Sequence, residues 1–205
     1  MSSTNRGYDR HASDYYVTPH KPIEEFLSAF LQEEKIDRPD RLTWLDPCAG
    51  GDALNEMSYP AVLKQAFDPS LTTLDIREDS RAEVIGDYLQ MNGLQDCFDV
   101  IITNPPFFLA KEIIEKALRE VKVGGYVITL LRLNFFGSNE RFPFFSNNMP
   151  KLCFVHHQRI SFATKEMNQR RKEQGLKPLT SDSIEYAHFV WQKGYSDKFT
   201  KTFLI

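Results

Sequence analysis

Along the chain, apolar residues recur first at helical spacing and then in short continuous runs, and each change of period marks an element. Ile23, Phe26, Leu27, Phe30 and Leu31 repeat at three- and four-residue intervals and predict a helix over Pro22–Leu31, after a Thr18-Pro19 start signal. Leu42–Asp46 reads as a short buried strand running into a turn at Pro47-Cys48-Ala49-Gly50-Gly51. A helix is expected near Ala53–Gln65, broken or delayed by Pro60, and strands at Leu71–Ile76 and Ala82–Gly86. Phe98–Thr103 is a fourth strand, stopped abruptly by Asn104-Pro105-Pro106.

Leu109, Ile113, Ile114, Ala117, Leu118 and Val121 then mark an amphipathic helix closed by Gly124-Gly125. Tyr126–Leu133 is apolar on both faces, as a central parallel strand is. Leu152–Phe162 and Ile184–Trp191 are two late strands, and the polar, basic segment 163–183 between them is expected to be a loop. Strands alternating with helices imply a doubly wound α/β sheet, mostly parallel, whose late pair forms an antiparallel edge.

Composition narrows the class. The 205 residues suit one domain over 1–205, and 41% hydrophobic with 26% charged residues excludes a disordered or collagen-like chain. Three cysteines, Cys48, Cys97 and Cys153, are odd in number and lack metal-finger spacing, which favours a reducing compartment over a disulfide scaffold. The polar opening MSSTNRGYDRH has no apolar core and no run approaches a membrane span, so a cytoplasmic protein with no membrane partner is expected. Charge is unevenly spread, with six basic against seventeen acidic residues over 23–100 and sixteen against nine over 101–205. An acidic first half fits a small polar ligand and a basic second half an anionic partner, although acidic outer helices would give the same count.

In open α/β sheets ligands bind beyond the carboxyl ends of the strands. Asp46, Asp75, Asp87 and Asn104 each follow or close a predicted strand there. Any one of them could be a turn former; four in register suggest a nucleoside-type ligand, with Asp75 placed to accept from the hydroxyls of a ribose. No glycine-rich phosphate motif occurs, and Asp46 and Asp52 beside the Gly50-Gly51 turn would repel a pyrophosphate. S-adenosylmethionine, a phosphate-free nucleoside carrying a sulfonium and an ammonium, suits such an acidic turn.

Asn104-Pro105-Pro106-Phe107 is the most informative tetrapeptide. An asparagine amide oxygen and a proline carbonyl are paired acceptors on a backbone held rigid by the prolines, fit to take both hydrogens of one planar amino group. The amine's lone pair is then left to attack an electrophilic methyl, with Phe107 stacked on the adjoining ring.

With these motifs the sequence resembles the S-adenosylmethionine-dependent amino methyltransferases, most closely the phage- and prophage-type DNA adenine-N6 enzymes. The resemblance runs over most of the chain. It implies a Rossmann-like methyltransferase sheet and S-adenosylmethionine as cofactor. Asp14-Tyr15-Tyr16-Val17-Thr18-Pro19 is similar to the N-terminal motif that helps hold the cofactor's methionine end, which implicates Tyr16, Thr18 and Pro19. Asp46, Pro47, Cys48, Ala49 and Gly50 stand at the glycine motif, departing from F-x-G-x-G at Cys48 and Asp52. Asp75 and Ile76 match the ribose position, Asp87 and Tyr88 the adenine position, and Asn104, Pro105, Pro106 and Phe107 the catalytic tetrapeptide.

The remaining signals divide. Residues 151–180 hold seven basic and two acidic residues, and Lys165, Arg170, Arg171, Lys172 and Lys177 are candidates for contacts with nucleic-acid phosphates; a solvated loop or short helix is the bland alternative. Phe135, Phe136, Phe142, Phe144 and Phe145 read as core, and Cys153 with His156-His157 as structural with no metal. The resemblance therefore implies direct methyl transfer to adenine N6 in DNA. Methylation of an rRNA base or a protein glutamine, and a catalytically silent nucleic-acid-binding module, are the alternatives.

Overall fold

The computed structural model describes residues 16–178 and 184–205. Helix α1 spans His20–Glu33 and buries Ile23, Phe26, Leu27 and Phe30, the stripe that its spacing predicts. Strand β1 is Thr43–Asp46, α2 is Ser58–Ala66, β2 is Ser70–Asp75 and β3 is Val84–Ile85. Pro60 delays α2 rather than breaking it, because its missing N–H falls within the first turn, where no helical partner exists. Strand β4 is Phe98–Thr103, α3 is Ala110–Glu120, β5 is Val121–Arg132 and α4 is Phe142–Asn147. Strand β6 is Leu152–Val155, α5 is Lys165–Glu173, β7 is Tyr186–Gln192 and β8 is Lys201–Leu204.

The eight strands form one sheet in the order β3-β2-β1-β4-β5-β7-β6-β8. Among the described strands only β7 runs against its neighbours, pairing antiparallel with β5 from Tyr126↔Gln192 to Arg132↔Tyr186 and with β6. The late antiparallel pair is present as expected, and β8 extends the sheet beyond it, parallel to β6. Residues alternate between two cores. Val100, Ile102, Ile128, Leu130 and Phe154 face α1 and α2, while Leu45, Ile101, Val127, Leu131 and Phe189 face α3 and α4. Burying such a side chain contributes roughly 1.5–3 kcal/mol, so both faces of the sheet are strongly specified. Among the described residues no helix is long and apolar enough to cross a membrane.

Several expected boundaries move. Gly124-Gly125 does not close α3, because the helix passes directly into β5 at Val121 and both glycines lie inside that strand. Their reason is tertiary: Gly124 has φ +80°, and a Cβ on Gly125 would stand 2.6 Å from the Asp99 carbonyl across a register shift in the β4–β5 ladder. The late strands are shorter than predicted, and Ile160 and Phe162 reach the core from a loop after β6. Segment 163–183, expected as a loop, contains α5, capped by Thr164 Oγ1 accepting from Met167 N–H at 3.2 Å. That helix has no apolar stripe; its cap and the cations of its last turn favour it.

Candidate active site

The carboxyl ends of β1 to β4 open into a cleft at the point where strand order reverses, between β1 and β4. Its empty volume, counting space open to solvent, is about 790 Å³. After β1 the chain turns through Gly50 and Gly51, both at positive φ (69° and 74°), where other residues are strained. Asp75 holds this loop: its Oδ2 accepts from Gly50 N–H at 2.7 Å and its Oδ1 from Arg77 N–H at 2.9 Å. The Arg77 guanidinium approaches Asp75 Oδ1 at 3.4 Å and donates to the Gly51 carbonyl. Each carboxylate oxygen keeps a further lone pair, so Asp75 can still accept from ligand hydroxyls.

Tyr16, Thr18, Pro47, Cys48, Ala49, Gly50, Asp75, Ile76, Asp87, Tyr88 and Asn104, all predicted, line the cleft. Asp14 and Tyr15 of the N-terminal motif lie outside the described residues. Asp46 and Pro19 were expected in the wall but do not line it. Pro19 caps α1, and Asp46 lies buried behind the turn with Oδ1 accepting from Cys48 N–H at 3.2 Å. Burial lifts the Asp46 carboxyl to about 7, and the Asp75 charge adds to this, against the Thr103 hydroxyl and Cys48 N–H, which lower it. Asp52 is also spent locally, accepting from Leu54 and Asn55 N–H groups at 2.8 Å. The acidity of the wall therefore comes from Asp75 and Asp87.

Across the cleft, Asp87 starts the short 3-10 turn Tyr88–Gln90, its Oδ1 accepting from Leu89 N–H at 2.9 Å. Tyr88 donates its hydroxyl to Glu120 Oε2 at 2.7 Å, and Lys116 Nζ donates to Glu120 Oε1 at 2.6 Å. Burial and this carboxylate push the Tyr88 phenol far above its ordinary pKa, so the ring is a neutral wall. Ile76 projects at the rim with 62% of its surface exposed, a lip on which a planar ring could rest.

The tetrapeptide divides between cleft and core. Asn104 and Pro106 line the cleft, whereas Pro105 is buried. Asn104 Nδ2 donates to Thr18 Oγ1 at 3.0 Å, which aims the amide and leaves Oδ1 without a partner among the described residues. The Pro106 carbonyl accepts from Leu109 N–H at 3.0 Å at the entry to α3, while the Pro105 carbonyl accepts from no described residue. Phe107 lies outside the lining, its ring centroid 6.1 Å from that of Tyr186 and 5.0 Å from the Arg132 guanidinium carbon.

Gly51, Ser58, Tyr59, Arg77, Leu89, Leu109 and Ile113 complete the lining and were not among the predicted site residues. Leu109 and Ile113 sit on the α3 stripe that the sequence marks as core. Ser58 and Tyr59 reach the cleft because Pro60 delays α2; Arg77 carries no signal beyond following Asp75 by two positions. Behind the wall, Tyr59 Oη lies 2.8 Å from His188 Nε2, and His188 Nδ1 lies 2.8 Å from His156 Nε2. Burial depresses both histidines, His156 to about 4 against the pull of Glu25, and His188 well below its ordinary value with His156 beside it. Neutral rings alternate donor and acceptor, so this chain orients the Tyr59 hydroxyl.

The candidate phosphate contacts are elsewhere. Arg170, Arg171 and Lys172 form the last turn of α5, with Arg170 and Lys172 exposed and Arg171 Nε donating to the carbonyl of exposed Lys177 at 2.9 Å. Lys165 opens the same helix. Strand β6 ends and β7 begins at the edge where β4 and β5 end, so α5 belongs to a segment that leaves and re-enters the sheet on the side of the cleft.

No protein-family model and no curated protein matches the sequence. Solved structures with the same fold do. A type I restriction-modification methyltransferase subunit from Streptococcus thermophilus superposes with a TM-score of 0.60 at 13% identity, over 92% of this chain and 47% of that one. A Listeria monocytogenes protein assigned to the class I S-adenosylmethionine-dependent methyltransferases gives 0.58 at 18%, over 92% and 65%. The type IIG restriction endonuclease BpuSI gives 0.59 at 12%, over 91% of this chain and 26% of the enzyme. The likeness is one of fold, and this chain spans less than two thirds of each of these proteins.

Proposed function

We propose that this protein transfers a methyl group from S-adenosylmethionine to the N6 amine of adenine in DNA. The observation that carries the proposal is Asn104, which lines the cleft with its amide oriented by Thr18 and its Oδ1 without a partner among the described residues. Beside it is the carbonyl of buried Pro105, which accepts from no described residue either. The neighbouring folds support the class, and of those similar structures one is a restriction-modification methyltransferase subunit and another a restriction endonuclease.

The lining residues fit the cofactor. Asp75 and Asp87 each retain acceptor capacity, and Arg77 is neutralised by Asp75 and Asp79 at 3.4 Å, so the wall offers carboxylates rather than a phosphate cradle. Asp75 would take the ribose hydroxyls, Asp87 the adenine amine, and Ile76 and Tyr88 the faces of the ring. When bound, the cofactor supplies an electrophilic methyl on a sulfonium.

Asn104 Oδ1 and the Pro105 carbonyl would each accept one hydrogen of the target amine, turning its lone pair toward the methyl. The proton shed from N6 leaves from one of these acceptors to solvent. Phe107 would stack on the extruded base, and the cations of α5 would hold the strand's phosphates. Catalysis here is positioning, which needs no protein nucleophile.

The test is incubation with radiolabelled cofactor and separate pools of unmethylated DNA, rRNA and protein. Label recovered as N6-methyladenine in DNA is the expected result. Label confined to RNA or protein overturns the acceptor and keeps the reaction class; no label in any pool overturns the class.

A further inference from the structure

Strand β4 stops at Thr103, opposite Thr129, but β5 continues through Leu130 and Leu131 to Arg132. The tetrapeptide therefore crosses the end of an overhanging strand, and Arg132 meets Phe107 there. The guanidinium carbon stands 5.0 Å from the Phe107 ring centroid, and Tyr186, the β7 register partner of Arg132, packs on the same ring.

Arg132 has no ion-pair or hydrogen-bond partner among the described residues, and its Nε is shut off from solvent. Other half-buried or buried cations among the described residues have an ion pair or a hydrogen bond. Although Arg77 Nε likewise lacks a full hydrogen bond, its guanidinium pairs with Asp75 and Asp79 and donates to the Gly51 carbonyl. Lys116 pairs with Glu120, Lys151 with Glu34 at 2.7 Å, and Arg141 donates to the Phe135 carbonyl at 2.7 Å. An aromatic face attracts a cation but accepts none of its hydrogens in a full hydrogen bond, so the buried Nε carries a cost that its surroundings do not offset. The terminal nitrogens of this half-buried side chain have no partner among the described residues. A planar fork of N–H donors matches two oxygens of a phosphate, and its stacking on an aromatic face keeps that fork in one plane.

We propose that Arg132 anchors the backbone phosphate next to the target nucleotide, fixing the strand so that the extruded base reaches Phe107 and the two acceptors. This rests on the DNA reading of the same site and adds a phosphate contact beside the reacting base, separate from the exposed cations of α5. An arginine that merely braced Phe107 would affect turnover without changing the number of phosphates neutralised.

The experiment compares the parent protein with Arg132→Gln and Arg132→Lys on plasmid DNA from a host lacking adenine methylation. Cofactor affinity by calorimetry serves as the control for folding. In Arg132→Gln, DNA affinity should fall on the order of tenfold with cofactor affinity kept. The log–log dependence of DNA affinity on salt should lose about one unit of slope. The KM for DNA should rise by more than kcat falls, and Arg132→Lys should restore the slope while recovering only part of the affinity. Should the glutamine variant fail to bind cofactor, Arg132→Met, which keeps an apolar stem, reads the same slope. An unchanged slope and KM in a charge-removing variant of a DNA-methylating parent overturns the anchor. A parent that labels only RNA or protein overturns the DNA reading and the anchor with it, and that failure is visible in the parent alone.

Discussion

The two sides of the switch point between β1 and β4 treat their polar groups in opposite ways. On the β1–β3 side most are already oriented by hydrogen bonds within the wall: Asp75 ties Gly50 and Arg77, Asp87 accepts from Leu89 N–H, Tyr88 is held by Glu120 from α3, and Asp46 is buried beneath Cys48. On the β4–β7 side Asn104 Oδ1, the Pro105 carbonyl and the Arg132 guanidinium are left without partners among the described residues. The difference separates two kinds of recognition. A wall whose groups are already oriented loses little entropy when a small ligand fills it, which suits a cofactor site. Unpartnered acceptors and cations are costly until a substrate arrives with its own hydrogens and phosphates, which suits groups that act on something absent from the free protein.

The largest expected effect sharpens this contrast. Asn104→Ala should fold and bind cofactor, yet lose on the order of a hundredfold or more in single-turnover rate, since its amide oxygen acts as the methyl approaches. Asn104→Asp, which keeps an acceptor, should retain more activity than alanine. A loss of cofactor affinity as large as the loss of rate would move Asn104 to the cofactor side and break the comparison.

Next in size is Asp75→Ala. It removes a ligand acceptor together with the tie that holds Gly50, so S-adenosylmethionine affinity should weaken by roughly 1–3 kcal/mol. Calorimetry checks this, with melting temperature recorded alongside, because the loop anchor is lost as well. Unchanged affinity would remove Asp75 from the site.

A smaller effect lies in the pH dependence of stability. His156 and His188 are held neutral by burial, His156 with its pKa lowered to about 4. Between that value and the ordinary 6.5 the unfolded chain binds protons that the folded chain does not, so these residues make stability rise with pH. Asp46 works in reverse: its carboxyl is raised from 3.8 to about 7, so the folded chain keeps a proton there that the unfolded chain releases. Its contribution falls as pH rises through that window. Asp46→Asn should therefore steepen the loss of stability on acidification between about pH 6.5 and 4, by up to about 1.4 kcal/mol per pH unit. Urea titrations across that range read the slope, and an unchanged slope would mean that Asp46 is not held protonated.

The smallest effect concerns α5. Replacing Arg170, Arg171 and Lys172 by alanine should lower the salt slope of DNA binding by up to about one unit per lost phosphate contact, with cofactor affinity unchanged. If the slope stays at the parental value, α5 is a solvated surface and the unpartnered side of the site ends at Arg132.

Much of the frame was legible in the sequence. Phe98–Thr103 is observed with the predicted bounds, and α3 buries Ile113, Ile114 and Ala117 from its predicted stripe. These features are local: a period of two or of 3.6 in apolar residues states which face must leave water. Features without such a period were missed. Strand β8 is four residues, Lys-Thr-Phe-Leu, and depends on the β6 ladder for its hydrogen bonds. Helix α5 lacks an apolar face, and the Gly124-Gly125 pair looks like a helix stop until the Asp99 carbonyl is seen against Gly125.

By itself the sequence determined the doubly wound α/β sheet and the succession of polar residues at its strand ends, because apolar periodicity and strand-breaking prolines act over a few residues. Tertiary structure decided which of those polar groups are spent and which are open. Asp46 and Asp75 both end strands, yet one is sealed under Cys48 and the other holds Gly50 across 25 positions of sequence. Nothing near Tyr59 announces His188, 129 positions away, and nothing near Arg132 announces Phe107. A hydrogen-bond donor is satisfied or left wanting by whatever the fold brings within about 3 Å of it, and that neighbour is chosen by the packing of the whole sheet rather than by the residues on either side.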